Sequence, residues 1–303
     1  MIKVAKKTMA LIEDRFLQDQ GAAFRGHLGE LIPLANDAFS TDETPFRKHL
    51  GASIIGKKCT REIYLSFRWA KNKKFNGRIL RLFNRGHLEE PRFVAMLLIA
   101  GCEVWQTDEK GKQWRITDET GHFGGSLDGV ARGLPEMPEV PVLTEFKTHS
   151  LKSFEKLVKE GVILSKFEHF IQMQIYMDKK HLSHALYMAV NKNTDEIYAE
   201  IVEYQKDVAE RYSKRAIHII KAEMAPEKIS QDPKHFECKI CDMWSICHGK
   251  DVPATNCRTC IYSKPLDIGG QWRCEKYGKI LSFEDQLAGC QSHVLNPQIK
   301  ESL

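Results

Sequence analysis

The chain reads as an α/β protein: a mixed central β-sheet flanked by helices, followed by a small cysteine-rich metal-binding module. Three observations carry this reading. Helical periodicity in residues 3–39 and 78–100 precedes a run of short strand-like segments. A second succession of helices and strands fills residues 151–222. From Pro226 onward, prolines, cysteines and polar residues replace periodic patterning. A length of 303 residues suits one substantial core, or one domain with an appendage, and 42% hydrophobic with 28% charged residues is a globular composition.

Taken in order, Leu11, Phe16, Phe24, Leu28, Leu31 and Ile32 recur at helical spacing and predict one or two covering helices. Residues 40–58 read as a loop ending at Cys59, and a helix is expected over 60–68, before the basic KNKK turn. Residues 78–100 form a strongly amphipathic pattern that Gly101 stops. Residues 103–107 and 113–117 read as strands of a meander that continues into a strand holding Asp128 and another holding Glu145. Helices are expected over 151–157, 168–182 and 207–222, with strands at 185–190 and 197–203 around a turn at Asn191–Thr194. The change of composition places a domain boundary near residue 250, dividing the chain into 1–250 and 251–303.

The net charge of +5 is mild but unevenly spread. Between Arg47 and Arg85 twelve Lys and Arg residues face one acid, Glu62, with Tyr64, Phe67, Trp69 and Phe75 interleaved. That pattern points to a polyanionic partner, nucleic acid foremost. No run of eighteen apolar residues is present, which excludes a spanning helix, and the N-terminus lacks the apolar core of a secretory signal. A cytoplasmic, reducing setting is expected, so the nine cysteines point to metal rather than a disulfide framework.

The chemistry is expected between Gly121 and Lys147. In a strand, Glu145 and Lys147 share a face while Phe146 turns to the other. With Asp128, they supply two carboxylates for a hard divalent cation and an ammonium to orient water or offset charge. Alone, E-x-K also describes an ordinary surface ion pair. Two helical features add to it. Gln172 and Tyr176 are spaced i, i+4 on one face, with Gln174 pointing away. Glu90, four residues after Gly86, lies on the amphipathic helix, and His87 beside it reads as a surface residue or a DNA contact.

Two cysteine sets stand out. Cys238, Cys241 and Cys247, with Cys59 as a distant fourth, suit a [4Fe–4S] cluster or Zn²⁺ and would close a loop of 179 residues. Cys257 and Cys260, with Cys274 and Cys290, read as a zinc-ribbon-like site in which His293 is the alternative to Cys290. Cys102 reads as a core residue.

In that order, Glu90, Gly125-x-x-Asp128, Glu145-Phe-Lys147 and Gln172-x-x-x-Tyr176 resemble the PD-(D/E)XK nuclease superfamily, in its RecB-like and lambda-exonuclease-like (YqaJ) branch, over residues 55–205. The resemblance implies Mg²⁺- or Mn²⁺-dependent hydrolysis of DNA by in-line attack of water on a backbone phosphate. Asp128, Glu145 and the Phe146 backbone carbonyl would then be metal ligands, with Glu90 as a further acidic ligand. Lys147 would be the catalytic lysine, and Gln172 and Tyr176 would position substrate and water. Members of the RecB-like branch often carry His where this chain has Glu90. The segment around Cys59 resembles the iron–sulfur nucleases of the AddB and CRISPR-adaptation families, which favours a cluster over zinc at the first cysteine set. The implied activity is an exonuclease of recombination or DNA end processing, phage-encoded and paired with a single-strand annealing recombinase. The alternative is a non-catalytic, zinc-containing nucleic-acid-binding protein.

Overall fold

The computed structural model describes residues 2–37, 46–72 and 74–299. Helices α1 (Lys6–Asp19) and α2 (Ala22–Asp37), strand β1 (Leu50–Gly51), helix α3 (Thr60–Phe67) and the long α4 (Gly77–Ile99) come first. Strands β2 (Glu103–Trp105), β3 (Arg115–Thr117), β4 (Phe123–Ser126), β5 (Gly129–Arg132) and β6 (Val142–His149) follow. Helices α5 (Leu151–Ser165) and α6 (Phe167–Lys180), strands β7 (His184–Asn191) and β8 (Ile197–Glu203), and helix α7 (Lys206–Lys221) complete the central part. The C-terminal part holds α8 (Phe236–Lys239), α9 (Trp244–Cys247), β9 (Ser263–Pro265), β10 (Trp272–Cys274), β11 (Lys279–Leu281) and α10 (Phe283–Ala288).

Contacts gather the described residues into two compact units. The first draws on Met1–Glu43, Phe75–Ile116 and Ser126–Ala209, the second on Thr44–Lys74, Thr117–Gly125 and Glu210–Leu303.

The first unit is built on a five-stranded sheet in the order β2-β5-β6-β7-β8. Only the β6–β7 pair is parallel; the others are antiparallel, so the sheet is mixed as expected. A parallel pair needs a long crossover, and here α5 and α6 supply it. Strand β6 lies at the centre and its residues are mostly buried. On one face Phe146 stacks on Phe93 of α4, ring centroids 5.0 Å apart, within a core that includes Leu97, Val142, Leu186 and Met188. Cys102 is buried in this core, where the sequence places it. The N-terminus joins the β8 edge through Ala5 N–H to Ala199 O (2.9 Å) and Ile201 N–H to Lys3 O (2.9 Å). No residue of its own caps α1; Glu136 accepts from Lys7 N–H and Thr8 N–H instead.

Asp128 departs from expectation. It lies in the short break between β4 and β5 rather than within a strand. The chain bends there, with Leu127 N–H bonded to Trp114 O at 2.9 Å. Helix α5 also runs further than residues 151–157, to Ser165, crossing a non-helical Gly161.

The second unit is organised around buried cations and aromatic rings. Arg258 is 1% exposed and its guanidinium lies 3.7 Å from the ring centroid of Trp69 and 4.6 Å from that of Trp272. Its donors reach Gln286 Oε1 (2.9 Å), Phe67 O (3.2 Å) and Lys48 O (2.8 Å). One side chain so ties four separated stretches together, with cation–π contact added to the hydrogen bonds. A three-stranded antiparallel sheet, β11-β10-β9, frames the C-terminal cysteines.

This unit also explains part of the basic run. Arg61 and Arg68 are 3% and 4% exposed and donate to backbone carbonyls; Tyr64, Phe67 and Trp69 are core residues. Lys57 and Lys58 pair with Glu62 and Glu237. The expectation that the whole of 47–85 faces a polyanion is thereby corrected: much of it serves the interior, because Arg satisfies clustered carbonyls that no apolar residue can. Lys73 lies outside the described residues.

Gly121 shows how tightly this unit closes. Its φ is +76°, and a Cβ there would stand 2.4 Å from Gly270 N. Gly111 has a similar φ of +71° but open space around it. Gly121→Ala is expected to destabilise by about 3 kcal/mol or more and Gly111→Ala by about 1 kcal/mol. Equal shifts of the melting temperature would show that the Gly121–Gly270 approach is unimportant.

Candidate active site and cysteine centres

Strand β6 presents Glu145 and Lys147 on the face opposite Phe146. Glu145 is fully buried. Its Oε1 contacts Lys147 Nζ, and its Oε2 accepts from Gln172 Nε2 at 3.3 Å. Asp128 Oδ2 accepts from Phe146 N–H at 2.8 Å, which locks the bend before β5 to the centre of β6. Lys147 Nζ donates to Phe146 O at 3.0 Å and stands 3.9 Å from Asp128 Oδ2. One cation therefore lies among carboxylate oxygens of Glu145 and Asp128 and the Phe146 carbonyl. These are the oxygen donors that the resemblance assigns to a divalent metal.

Glu90 reaches the same place from α4. It is one turn before Phe93, whose ring on Phe146 sets the helix against the sheet. Burial, followed by the negative charges of Asp128 and Glu145, pushes the Glu90 carboxyl up to about 8. Burial likewise raises Glu145 to about 7, with Lys147 opposing and Asp128 adding to the rise. The lysine stays charged: its carboxylate neighbours outweigh its own burial. On α6, Gln172 Nε2 also approaches Tyr176 OH at 3.4 Å. Burial and the nearby carboxylates raise Tyr176 above its ordinary value, keeping it a neutral donor. Gln174 turns away and bonds Glu203 O and Gln205 N–H. His87 Nδ1 lies 3.8 Å from Glu90 Oε1, at the rim.

The row continues into residues that were not singled out from the sequence. His149 follows Lys147 by two on β6, and His169 precedes Gln172 by three on α6. Tyr187 OH of β7 lies between them, 2.9 Å from His149 Nε2 and 2.9 Å from His169 Nδ1. Ser153 Oγ is 3.4 Å from His149 Nδ1 and accepts from Lys166 Nζ at 2.5 Å. Burial, then the charges of Lys166, Lys147 and Lys192, hold His149 down to about 3, and burial with Lys147 lowers His169 as well. Two neutral imidazoles thus join α6 to the sheet beside Lys147. The i+2 alternation from Lys147 and the i−3 step from Gln172 were the available signals.

Among the described residues, no group of three or more His, Cys, Asp and Glu side chains stands arranged to hold a metal ion. The donor chemistry nonetheless fits a hard cation at the carboxylates: oxygens of Glu145 and Asp128 and the Phe146 carbonyl, three in all, meet around one ammonium. Both cysteine sets also assemble. Cys59, Cys238, Cys241 and Cys247 line one hollow of the second unit, and Met243 N–H points at Cys241 Sγ at 3.3 Å. Cys257, Cys260, Cys274 and Cys290 line another with His293, whose Nε2 lies 3.1 Å from Thr259 Oγ1. No cysteine is in a disulfide. Burial pushes Cys241 up to about 12, and burial with the three neighbouring cysteines pushes Cys257 up to about 11. Thiols so raised ionise when a metal takes the proton's place.

No family model matches the chain, and no curated protein matches it. Among solved structures, the chain is similar to the crystal structure of LHK-Exo, an alkaline exonuclease from Laribacter hongkongensis, alone and in complex with dAMP. In each case the TM-score is 0.43 and the identity 16%, covering 57% of this chain and 86% of the other. It is also similar to the crystal structure of SSO0001, with a TM-score of 0.41 and 14% identity over 77% of this chain and 100% of the other. At such scores the chain's own geometry has to carry its functional reading.

The raised carboxyls set a pH dependence. Glu90 and Glu145 have folded-state values above an unfolded value near 4.5. Their contribution to stability is fully present below that value and is lost as pH rises through about 7 and 8. A divalent cation held by these carboxylates would take the proton's place, so the rise in melting temperature caused by Mn²⁺ should be larger at pH 8.5 than at pH 6. A rise independent of pH would argue against these carboxylates as ligands. Separately, Tyr187→Phe removes the hydroxyl shared by two buried imidazoles and should cost about 1–3 kcal/mol in a denaturant titration.

Proposed function

We propose that the chain is a metal-dependent DNA nuclease of the PD-(D/E)XK type, with its catalytic groups in the first unit. The carrying observation is the enclosure of Lys147 Nζ by Glu145, Asp128 and the Phe146 carbonyl, with Glu90 within electrostatic range and Gln172 bonded to both Glu145 and Tyr176. Asp128, Glu145, Glu90 and the Phe146 carbonyl would hold Mg²⁺ or Mn²⁺. When bound, the cation supplies Lewis-acid polarisation of the scissile phosphate and acidifies water. Lys147 orients the attacking water and offsets charge as it develops on the phosphoryl oxygens. The Gln172 amide and Tyr176 hydroxyl are neutral donors that position a phosphate without competing for protons. The linked His149–Tyr187–His169 group keeps α6 at the distance this requires.

DNA is proposed to approach along the first turns of α4. There Arg78, Arg81 and Arg85 are exposed, as are Phe75, Leu80 and Phe83, and no acid precedes Glu89. Arg81 lies nine residues before Glu90, about 14 Å along the helix, a reach suited to holding backbone phosphates beside the site without reading sequence. Exonuclease action, end processing or recombination, a phage setting and a single-strand annealing partner follow from the resemblance of the motifs. The same resemblance favours [4Fe–4S] over Zn²⁺ at Cys59, Cys238, Cys241 and Cys247, and the zinc-ribbon-like spacing favours Zn²⁺ at Cys257, Cys260, Cys274 and Cys290. Functionally, residues 1–250 are proposed to act as the nuclease with its cysteine centre and 251–303 as the zinc module. No helix among the described residues is long and apolar enough to cross a membrane; the cytoplasm is the proposed setting.

Linear DNA labelled at the 5′ or 3′ end, with a circular control, tests this in Mn²⁺ and in EDTA. Wild type should release labelled product only with the metal. Asp128→Ala, Glu145→Ala and Lys147→Ala should each lower the rate at least about a hundredfold. Cleavage by the variants at the wild-type rate would sink the assigned site. Absence of any cleavage, with binding retained, would favour the non-catalytic zinc protein. Arg78→Ala with Arg81→Ala should weaken binding of every sequence alike and flatten its salt dependence by about two phosphate contacts.

A further inference from the structure

Arg61 sits in the first turn of α3, two residues after Cys59, and is 3% exposed. Its two terminal nitrogens donate to Pro226 O at 2.9 Å and Ile299 O at 3.0 Å. Its Nε is buried with no hydrogen-bond partner. Both acceptors are neutral carbonyls. Among the described residues no carboxylate pairs with it: Glu62 and Glu237, which line the same hollow, pair with Lys57 and Lys58. A guanidinium cannot shed its proton, and a buried charge without an opposite charge is costly. Its place near a helix N-terminus, the positive end of the helix dipole, makes the need for a nearby anion greater.

Among the described residues, the group of ionisable side chains in this hollow that is left without a cation of its own is the first cysteine set. Arg61 lines the hollow together with Cys59, Cys238, Cys241 and Cys247, and its positive charge opposes the burial that raises the Cys247 thiol. Four neutral thiols would leave the guanidinium unbalanced. We propose that Arg61 is the counter-charge of an anionic tetrathiolate metal complex at these four cysteines, and that it ties this complex to the chain at Pro226 and Ile299. The proposal rests on reading the cysteines as a metal centre and is independent of the nuclease reading. A Zn²⁺ tetrathiolate and a [4Fe–4S]²⁺ cube on four thiolates are both net dianions, so either satisfies the same requirement. Arg61 is a positioning residue here, with no contact to the carboxylate site assigned to it.

The full chain, purified without oxygen, is assayed for zinc, iron and acid-labile sulfide, which separates the two complexes. Metal release to a chromogenic chelator is then followed in wild type, Arg61→Gln, Arg61→Lys and Cys247→Ser. Cys247→Ser should lack the metal of this centre while keeping that of the Cys257 set, which serves as an internal measure of folding. Arg61→Gln should release the metal at least about tenfold faster than wild type, and Arg61→Lys, which keeps the charge, should recover most of the difference. Arg61→Gln should also lower the melting temperature more in metal-loaded than in metal-stripped protein, which loss of the two carbonyl bonds alone would not do. Unchanged release, equal release from the Gln and Lys variants, or equal drops with and without metal would each overturn the proposal. Full metal content in Cys247→Ser would remove both the centre and the role of Arg61. If Arg61→Gln fails to fold, loss of the metal from folded Arg61→Lys overturns the proposal and its retention supports it.

Discussion

The hydrogen bond from Phe146 N–H to Asp128 Oδ2 is the constraint on which the candidate site depends. It joins a carboxylate from the break between β4 and β5 to the backbone of the central strand, between the side chains of Glu145 and Lys147. Phe146 is anchored on the opposite face by Phe93, so β6 cannot rotate without losing its core packing. Glu145 and Lys147 are then obliged to face Asp128 at close range. Burial does the rest: with little water, mutual repulsion raises the carboxyls, and the lysine between them remains a cation. The same arrangement that raises these acids is the one that the proposed divalent ion would relieve.

A second theme is the use of buried arginine. Arg258 spans aromatic rings and carbonyls of four stretches, and Arg68 lies over Trp272 with its donors on Ser263 O and Ala222 O. Arg61 differs because its hollow is lined with cysteines. In the first two cases flat aromatic faces receive the charge; in the third, on the proposal made above, ionised thiols would receive it.

Several features were legible in residue order because they follow from local geometry. Alternation along 145–147 places Phe146 opposite its neighbours in any strand, and the i, i+4 step brings Gln172 to Tyr176 in any helix. Other features were not. Composition between 47 and 85 reads as one basic face, yet Arg61 and Arg68 point inward and Arg78, Arg81 and Arg85 outward. Charge counts cannot tell a cation that solvates carbonyls from one that faces solvent. His149 and His169 were equally hidden, being separated by twenty residues and meeting only through the hydroxyl of Tyr187.

By itself the sequence determined the α/β class and the spacing of Glu145, Lys147, Gln172 and Tyr176 along their strand and helix. Periodicity and short-range spacing suffice for these, since each depends on residues within a turn or a strand. Only the tertiary structure decided that Asp128 leaves its strand to reach Phe146, that Glu90 comes within electrostatic range of Asp128 and Glu145, and that the C-terminal residues share a unit with residues 44–74. Those outcomes depend on which distant surfaces exclude water together. Desolvation acts on neighbours in space, and no local pattern records them.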